Sequence, residues 1–390
     1  MAIDAWPLEI EVRCVSSVGD ERSLRGLLIY VGGSMRVLWI VGNGFDLNMR
    51  LKTGYRDFLK NAYFREGTKN RLRDELVQRL GGGKSFQGDK WSDLEILLGS
   101  AAGKYEDDQG LFHETFEDMQ ERFVNYIYRQ QEELDEETIA SCVDEFKNTI
   151  CYGYERLTDA DRRTLEFGDN TAGDVYIDVL NLNYTNTIDR LETALGAENG
   201  VICRRRSRPN DFNYIGQTLH VHGDVEVPEG RAVVFGVSDD SQIDSKSLAG
   251  QEDMLELWVK SRKNSLLYGN SKNDCMQSLI SNAQIICLYG CSLGDSDKYI
   301  WSKVGERLVS SSSARLIYYV YGLPKRTGPR PSEFMRIRNK ERNRLFNAMG
   351  IEEGGRDQLR NRIIIASTKR AFNFSDVFER EDGVVPSGNA

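Results

Sequence analysis

The amino-acid sequence predicts an α/β protein with a Rossmann-like parallel sheet and a large acidic helical insertion. Short runs of Val, Ile, Leu and Tyr, bounded by Gly or polar residues, recur at wide intervals along the 390-residue chain. Such runs are typical of buried parallel strands, and the long segments between them suit crossover helices. The predicted strands are Met35–Val41, Val175–Asn183, Thr218–His222, Ala232–Val237, Gln284–Tyr289, Arg315–Tyr321 and Arg362–Ala366.

Residues 1–34 form an N-terminal extension without convincing periodicity. The first predicted strand opens at an internal methionine, Met35, directly after Gly32-Gly33-Ser34. This arrangement leads to the hypothesis that Met35 is the natural start and that the leader is an appended extension. N-terminal sequencing of the native protein tests that hypothesis.

The helical insertion is predicted over residues 61–169, because the chain from Tyr55 to Gly168 lacks strand patterns and has apolar residues at helical spacing. We interpret its aromatic side chains as core packing. The longer apolar stripe comprises Phe112, Phe116, Met119, Phe123, Tyr126 and Ile127, and the shorter one Trp91, Leu94, Leu97 and Leu98. The α/β domain then comprises residues 35–60 and 170–375, and residues 376–390 form a tail.

Composition excludes several classes of protein. The 60 acidic residues outnumber the 51 basic ones, and the net charge of −9 argues against direct nucleic-acid binding. Three histidines are too few for a site with four imidazoles. The seven cysteines are scattered without a C-x-x-C pair, which indicates reduced thiols and no disulfide framework or zinc module. No apolar run approaches the ~20 residues of a membrane span, and the acidic start is unlike a signal peptide, so we expect a cytoplasmic protein.

Charge is distributed unevenly along the chain. From Trp91 to Ile150 there are 16 acidic and 4 basic residues, whereas from Pro324 to Arg370 there are 13 basic and 5 acidic ones. Two interpretations stay open. The two regions form surfaces with separate tasks, including the docking of one subunit on another, or they are faces that differ only in solvation.

The first candidate site follows the first strand and reads Gly42-Asn43-Gly44-Phe45-Asp46. Two glycines around one residue permit positive φ and the close approach of a phosphate or of another backbone. A helix that starts near Asp46 would direct free N–H groups at a pyrophosphate. The motif lacks the third glycine of the dinucleotide fingerprint, and a plain strand-to-helix turn explains it about as well.

The second candidate site, Asn183-Tyr184-Thr185-Asn186, stands at the carboxyl end of another strand, where open α/β sheets bind ligands. Asn183 and Asn186 offer amide donors and acceptors, and Asn183 is suited to orient a water molecule or a ribose hydroxyl. In the alternative interpretation, Asn186 or Thr187 only caps the next helix.

The third candidate site contains two of the three histidines, in His220-Val221-His222-Gly223-Asp224. On a strand, His220, His222 and Asp224 project to one face, an arrangement that suits a metal-dependent hydrolase. We favour His222, at the strand end before a glycine, as a base near neutral pH. His220 fits a structural, hydrogen-bonded role better.

The fourth candidate site is the Gly/Ser loop after the strand that ends at Tyr289. Gly290, Ser292 and Asp297 lie in this loop, whose composition suits the binding of phosphate or ribose. All four candidate sites end strands of one predicted sheet, at the edge where a nucleotide site is expected.

In order and spacing, these motifs resemble the bacteriophage abortive infection AbiH family. The matching stretches are IVGNGFDLN, TGYRDFL, KWSDLE, NLNYTNTID, HVHGD, VVFGVSD and LYGCSLGDSD, which cover residues 35 to about 300. That family in turn looks like a distant branch of the sirtuin-like NAD-binding fold. The resemblance therefore implies a sheet of the sirtuin type and NAD as the substrate.

The resemblance to sirtuins also implies roles for individual residues. Asn183 matches the residue that positions water or substrate, and His222 matches the catalytic histidine. The implied residues of the phosphate- and ribose-binding turns are Gly42, Asn43, Gly44, Gly290, Ser292 and Asp297. The remaining implied NAD-binding residues are Phe45, Asp46, Tyr184, Thr185 and Asn186.

This chain departs from the sirtuin pattern at several positions. The sirtuin Asn-x-Asp turn reads Asn183-Tyr184-Thr185 here, without the acid, and Asp46 stands where a small hydroxyl residue is usual. The sequence has no zinc-binding cysteine quartet, which argues against a protein deacylase.

The implied function is antiphage defence by hydrolysis of NAD to nicotinamide and ADP-ribose, with Asn183 and His222 as catalytic residues and no metal. Two alternatives stay open: a non-catalytic NAD or ADP-ribose sensor in a defence complex, and a metal-dependent phosphoesterase or nuclease that uses His220, His222 and Asp224. By analogy with such folds we expect a homo-oligomer. A defence partner protein or a phage trigger is also expected, and the sequence identifies neither.

Overall fold

The computed structural model describes residues 34–60, 70–79, 94–165, 173–206, 208–225, 233–327, 329, 331–375 and 377–378. Several sequence predictions fall outside this part of the chain. They are the N-terminal extension apart from Ser34, Trp91 of the shorter apolar stripe, and all but two residues of the C-terminal tail.

The described strands form one mostly parallel sheet. They are β1 (Met35–Val41), β2 (Val175–Asn181), β3 (Val201–Arg205), β4 (Arg208–His220), β5 (Ile285–Tyr289), β6 (Arg315–Val320) and β7 (Ile363–Ser367). Their order in space is β3-β4-β2-β1-β5-β6-β7, and every neighbouring pair is parallel except β3 with β4. The six parallel strands, counted along the chain, therefore run 3-2-1-4-5-6, the order of dinucleotide-binding sheets. The predicted α/β class is confirmed.

Three parts of the strand prediction need correction. The predicted strand Thr218–His222 is only the end of β4, which begins at Arg208 and ends at His220. Residues 233–237 form no strand, and Val237 makes only an isolated bridge with Val259, because the apolar side chains of this segment are buried among helices. Strand β3 was not predicted, since its sequence VICRR is short and ends in two arginines. It lies at the edge of the sheet, where charged residues are tolerated.

Helices cover this sheet, and further helices pack with one another beside it. The described helices are α1 (Gly44–Asn48), α2 (Tyr55–Lys60), α3 (Arg71–Arg79), α4 (Leu94–Ala101), α5 (Gln109–Glu132), α6 (Glu136–Tyr152), α7 (Asp159–Leu165), α8 (Thr187–Leu195), α9 (Lys246–Ala249), α10 (Glu252–Trp258), α11 (Lys260–Tyr268), α12 (Ser271–Asn282), α13 (Lys298–Ser310), α14 (Pro331–Ala348) and α15 (Glu353–Arg360). Of these helices, none has the length and apolar character needed to cross a bilayer.

Both faces of the sheet are covered by helices. In β1, Val37, Trp39 and Val41 are buried with side chains of α6 and α8, whereas Leu38 and Ile40 are buried with side chains of α12, α13 and α14. This alternation follows the two-residue period of a strand. It places the carboxyl end of β1 in the middle of the molecule, between two cores.

A third core joins the helical insertion to the segments that follow β2 and β4. The longer stripe of α5 is buried, as predicted. Its Phe116 ring centroid lies 4.7 Å from that of Trp258 in α10. Phe123 in the same stripe contacts Tyr184 and Phe235. Because Tyr184 follows β2, this core lies beside the carboxyl edge of the sheet.

Candidate active site

The loops after β1 and β5 are joined by direct backbone packing of three glycines. A Cβ atom on Gly42 would lie 2.8 Å from Gly290 O, and one on Gly44 would lie 2.6 Å from Gly290 Cα. Gly290 has a φ of +68°, and a Cβ there would lie 2.7 Å from the backbone nitrogen of Phe45. Only glycine fits these positions.

This packing also occupies N–H groups of the first loop. The N–H groups of Gly42, Gly44 and Phe45 donate to the carbonyl oxygens of Tyr289, Gly290 and Gly42 respectively. Helix α1 begins at Gly44, two residues before the predicted start. The contact between the loops thus gives these glycines a structural role beside the predicted phosphate binding.

A cavity lies at this edge of the sheet, where the strand order reverses between β1 and β5. Its volume is about 110 Å³, enough for a few water-sized groups. Most of the residues predicted from sequence line it, namely Gly42, Asn43, Asp46, Asn183, Tyr184, His222, Gly290, Ser292 and Asp297.

Four residues of the predicted site are not in the cavity lining. Phe45 is fully buried in the core, with its ring 5.0 Å from that of Phe372. Gly44 packs on Gly290, and Thr185 contacts Asp46 from behind the lining. Asn186 is the N-cap residue of α8, without a capping hydrogen bond from its side chain.

Asn183 is buried and its side-chain amide has no hydrogen-bond partner among the described residues. The residue is 2% exposed, and neither Nδ2 nor Oδ1 forms a hydrogen bond. Its backbone N–H donates to Asn181 Oδ1, which holds the turn after β2. Burying an amide without partners costs free energy unless another group satisfies it. An amide that borders a cavity in this state is suited to a polar ligand or water.

His222 lies in a turn beyond β4, with both ring nitrogens next to oxygen atoms. Nδ1 is 3.0 Å from the carbonyl oxygen of Leu182, so Nδ1 carries a hydrogen and donates it. Nε2 is 2.9 Å from Asp297 Oδ1, at ion-pair distance, and forms no hydrogen bond within the described part of the chain. A proton accepted at Nε2 would therefore face a carboxylate.

Three charged residues form a buried chain next to His222. Lys260 Nζ lies 2.8 Å from Asp297 Oδ1 and 2.8 Å from Glu95 Oε2. Burial alone lowers the pKa of Lys260, but the two carboxylates outweigh it and hold that pKa above its ordinary value. Burial raises the pKa of Asp297, and Lys260 with His222 reverses this and holds it below the ordinary value. Asp297 is thus a carboxylate held by two cationic or protonatable partners.

Asp46 is a second buried carboxyl group of the cavity, with neutral partners. Thr185 Oγ1 lies 3.0 and 2.8 Å from its two oxygens and donates to them. Burial raises the pKa of Asp46 to about 7, and hydrogen bonds from Thr185, Thr187 and Thr53 only moderate this rise. Asp46 therefore changes its charge near neutral pH.

The expectation that His220, His222 and Asp224 project to one face is wrong. β4 ends at His220, and Gly223 has a φ of +74°, so the backbone turns after the first histidine. His220 Nε2 is 2.8 Å from Asp189 in α8, whereas His222 faces Asp297. Among the residues that the structure describes, no group of His, Cys, Asp and Glu is arranged to hold a metal ion.

Several residues of the site were missed by sequence reasoning. Lys260 and Glu95 are 165 positions apart and meet only in the folded chain. Thr53 donates to Asn43 Oδ1 over 2.6 Å, and Tyr55 lines the cavity. One local signal existed for Glu95, a single acid inside the apolar run Leu94–Leu98. The others have no distinguishing pattern.

The comparison with known proteins agrees with the resemblance noted in the motifs. A family model described as bacteriophage abortive infection AbiH matches residues 38–319, well over half of the chain. A search of curated proteins gives no match. The matched segment runs from β1 into β6 and contains every residue that lines the cavity. The chain belongs to the bacteriophage abortive infection AbiH family of antiphage defence proteins.

Proposed function

We propose that this protein hydrolyses NAD, releasing nicotinamide and ADP-ribose. The observation that carries the proposal is the Asn183 amide, which is buried beside a cavity with both of its polar atoms unpartnered. A ribose hydroxyl or a water molecule would satisfy both atoms. The strand order 3-2-1-4-5-6 supports a dinucleotide at the same edge.

The reaction asks for little acid catalysis. Water attacks the anomeric carbon of the nicotinamide ribose, the C–N bond breaks, and its electron pair goes to the ring nitrogen, so that nicotinamide leaves as a neutral molecule. One proton is released from the attacking water. The protein must hold the dinucleotide, orient that water and accept the proton.

His222 is suited to accept this proton at Nε2. Nδ1 is committed to Leu182 O, which leaves Nε2 as the basic nitrogen. Protonation at Nε2 creates an attractive pair with Asp297, 2.9 Å away. Lys260 holds the Asp297 carboxylate in place from the other side. In this proposal Asp297 and Lys260 are positioning residues rather than ligands of the sugar.

The phosphate end of NAD would lie against the loops after β1 and β5. Thr53 occupies Asn43 Oδ1, so Nδ2 is the atom of that amide left to donate, and Ser292 lines the same cavity. Arg344 in α14 donates to Ser292 O and brings a guanidinium group of the basic region close to this loop. A cation there favours a pyrophosphate.

The contact between Asp46 and Thr185 bears on the departure from the sirtuin pattern. The acid expected after Asn183-Tyr184 and the hydroxyl expected in the first loop are exchanged in this chain, and the two side chains contact each other. A carboxyl group is therefore present behind the Asn183 turn although it comes from α1. This supports a sirtuin-like NAD site with an altered sequence.

The test measures nicotinamide release from NAD by the purified full chain, and NAD levels in cells with and without phage. We expect Asn183→Ala and His222→Ala to lower turnover at least ~100-fold, since each removes a group that acts on the reacting water. His220→Ala is the matched control, because His220 pairs with Asp189 and does not line the cavity, and it should retain activity. Turnover by both cavity variants at the parental rate would refute the proposal.

A nucleotide sensor without chemistry is the second candidate. It is favoured by the position of Asp297 Oδ1, 2.9 Å from His222 Nε2, because this carboxylate competes with a substrate water for the nitrogen that a base would use. NAD binding by the parent, with no nicotinamide released even in phage-infected cells, would decide for the sensor. In either case we propose that self-association or a defence partner protein restrains the site until a phage trigger releases it.

A further inference from the structure

Cys151 and Cys203 lie side by side although 52 positions separate them in the sequence. Their Sγ atoms are 3.8 Å apart. Cys151 is in the last turn of α6, in the helical insertion, and Cys203 is in the edge strand β3. Neither residue belongs to the cavity, which is lined by other side chains. The two thiols are therefore a site of their own, at the contact between two layers of the molecule.

The surroundings of Cys203 stabilise a thiolate. Asn213 Nδ2 lies 3.4 Å from its sulfur and is a donor, whereas the Tyr152 hydroxyl, 3.3 Å away, donates to the carbonyl oxygen of Arg204. The contact with Cys151 is the largest cause that lowers the pKa of Cys203, to about 5, and Lys147 adds to it, although burial opposes both. The same contact raises the pKa of Cys151, so Cys151 keeps its proton. The two thiols therefore differ in acidity, and Cys203 is the one that loses its proton more readily.

The two cysteines also differ in solvent exposure. Cys203 is half-buried on an edge strand, whereas Cys151 is buried at 5% exposure. A small reagent therefore reaches Cys203 more readily than Cys151. A reactive thiolate with a second thiol directly behind it is the arrangement of cysteines that sense oxidants.

We propose that Cys203 and Cys151 form a dithiol site that reacts with hydroperoxides and closes to a disulfide between β3 and α6. The Cys203 thiolate attacks the outer oxygen of the peroxide; the O–O bond breaks, and sulfenic acid forms at Cys203 as hydroxide leaves. The Cys151 sulfur then attacks the Cys203 sulfur, the S–O bond breaks, and water leaves. Two thiols and one hydrogen peroxide thus yield one disulfide and two waters. The sulfurs must approach from 3.8 Å to about 2.05 Å.

The disulfide would connect parts that carry the candidate active site. β3 pairs with β4, which leads to His222, and α6 packs against α8, which follows the Asn183 turn. Oxidation therefore ties the helical insertion to the sheet. Reduction by a thiol releases it.

The experiment treats the purified full chain with hydrogen peroxide, blocks free thiols and maps every cysteine by peptide mass spectrometry. We expect a Cys151–Cys203 peptide as the first product, reversed by dithiothreitol. Cys275 is the matched control, since it is also half-buried but burial raises its pKa. The oxidation rate of Cys203 should stay nearly constant from pH 6 to pH 8, whereas that of Cys275 should rise roughly tenfold per pH unit.

Two variants separate the steps. In Cys151→Ser the sulfenic acid at Cys203 has no thiol to close on, and dimedone should trap it. In Cys203→Ser neither sulfenic acid nor a disulfide should form at Cys151. Oxidation of Cys275 ahead of Cys203, or oxidised Cys203 without the linked peptide in the parent, would overturn the proposal. The mapping of the parent needs no variant, so the outcome does not depend on how the variants fold.

Discussion

Two carboxyl groups of one cavity, Asp46 and Asp297, are both buried yet have opposite protonation behaviour. Asp46 is surrounded by threonine hydroxyls, and burial raises its pKa to about 7. Asp297 lies between Lys260 and His222, and its pKa falls below the ordinary value in spite of burial. The charge of the partners therefore decides the state of a buried acid in this protein, and burial alone does not.

The two carboxyl groups are therefore suited to different roles in the cavity. Asp297 stays ionised and holds His222 and Lys260 in one geometry, which suits a positioning role. Asp46 takes up a proton near neutral pH, so its charge changes over a pH range in which Asp297 stays ionised. Four effects, measured with five variants, would break or sharpen this contrast.

The largest effect is expected from Lys260→Met, which leaves Asp297 and Glu95 buried without their shared cation. Removing one partner of a buried ion pair costs about 3–5 kcal/mol. Urea unfolding of parent and variant measures the loss. Lys303→Met is the control, because Lys303 pairs with Glu306 on the surface and should change stability by less than about 1 kcal/mol. Equal losses in the two variants would contradict the role given to Lys260.

The second effect is a pair of opposite pH dependences. Because the pKa of Asp46 is higher in the folded state, its stabilising contribution is complete below about pH 4 and is lost as the pH rises toward 7. Asp46→Asn removes this loss. The free energy of unfolding of the variant should therefore rise relative to that of the parent between pH 4 and pH 7, by at most about 4 kcal/mol.

Asp297→Asn should behave in the opposite way. The pKa of Asp297 is lower in the folded state, so its contribution is present above about pH 4 and lost as the pH falls below that value. The variant should be least stable relative to the parent near neutral pH. Urea unfolding at several pH values measures both variants, and parallel curves for the two would show that the carboxyl groups do not differ.

The third effect concerns the glycine contact that joins the Asp46 side of the cavity to the Asp297 side. Gly290→Ala places a Cβ atom 2.7 Å from Phe45 N, and we expect a loss of about 2–3 kcal/mol from strain and overpacking. Gly322→Ala is the control, since Gly322 has a similar φ of +70° but no atom within 4 Å of the new Cβ. Its cost should be about 1 kcal/mol. A similar cost at both positions would mean that the contact between the loops is not required.

The smallest effect is expected from Thr185→Val, which removes the hydroxyl that donates to Asp46. The hydrogen bond lowers the pKa of Asp46, so its loss should move the pH dependence of stability to higher pH. The cost at pH 8, where Asp46 is ionised, should be about 1–2 kcal/mol and should shrink at pH 5. If Thr185→Val cost the same free energy of unfolding at pH 5 and at pH 8, Asp46 would not be the group that gains a proton in this range.

Local patterns in the sequence predicted much of the fold. The bounds of β1 and the buried stripe of α5 follow from the apolar period and the flanking turns, and the structure has both as expected. The same patterns predicted that Asn183 and His222 lie at strand ends, and both residues line the cavity. They failed for residues 233–237, which resemble a strand in composition but pack among helices.

The partners of the buried polar groups depend on contacts that no local pattern encodes. His220 and His222 are two positions apart and were expected on one face, but the turn at Gly223 sends one to Asp189 and the other to Asp297. Cys151 and Cys203 looked like scattered thiols and lie 3.8 Å apart.

Periodicity and turn residues in this chain specify which segments become strands and helices and which edge of the sheet carries the polar loops, because those properties depend on neighbours along the backbone. The charge state of Asp46 and Asp297, the buried position of Lys260 and the pairing of the two thiols come from side chains far apart in sequence. Only the tertiary structure determines these properties, because the protonation state of a buried charge or thiol depends on the groups that pack around it.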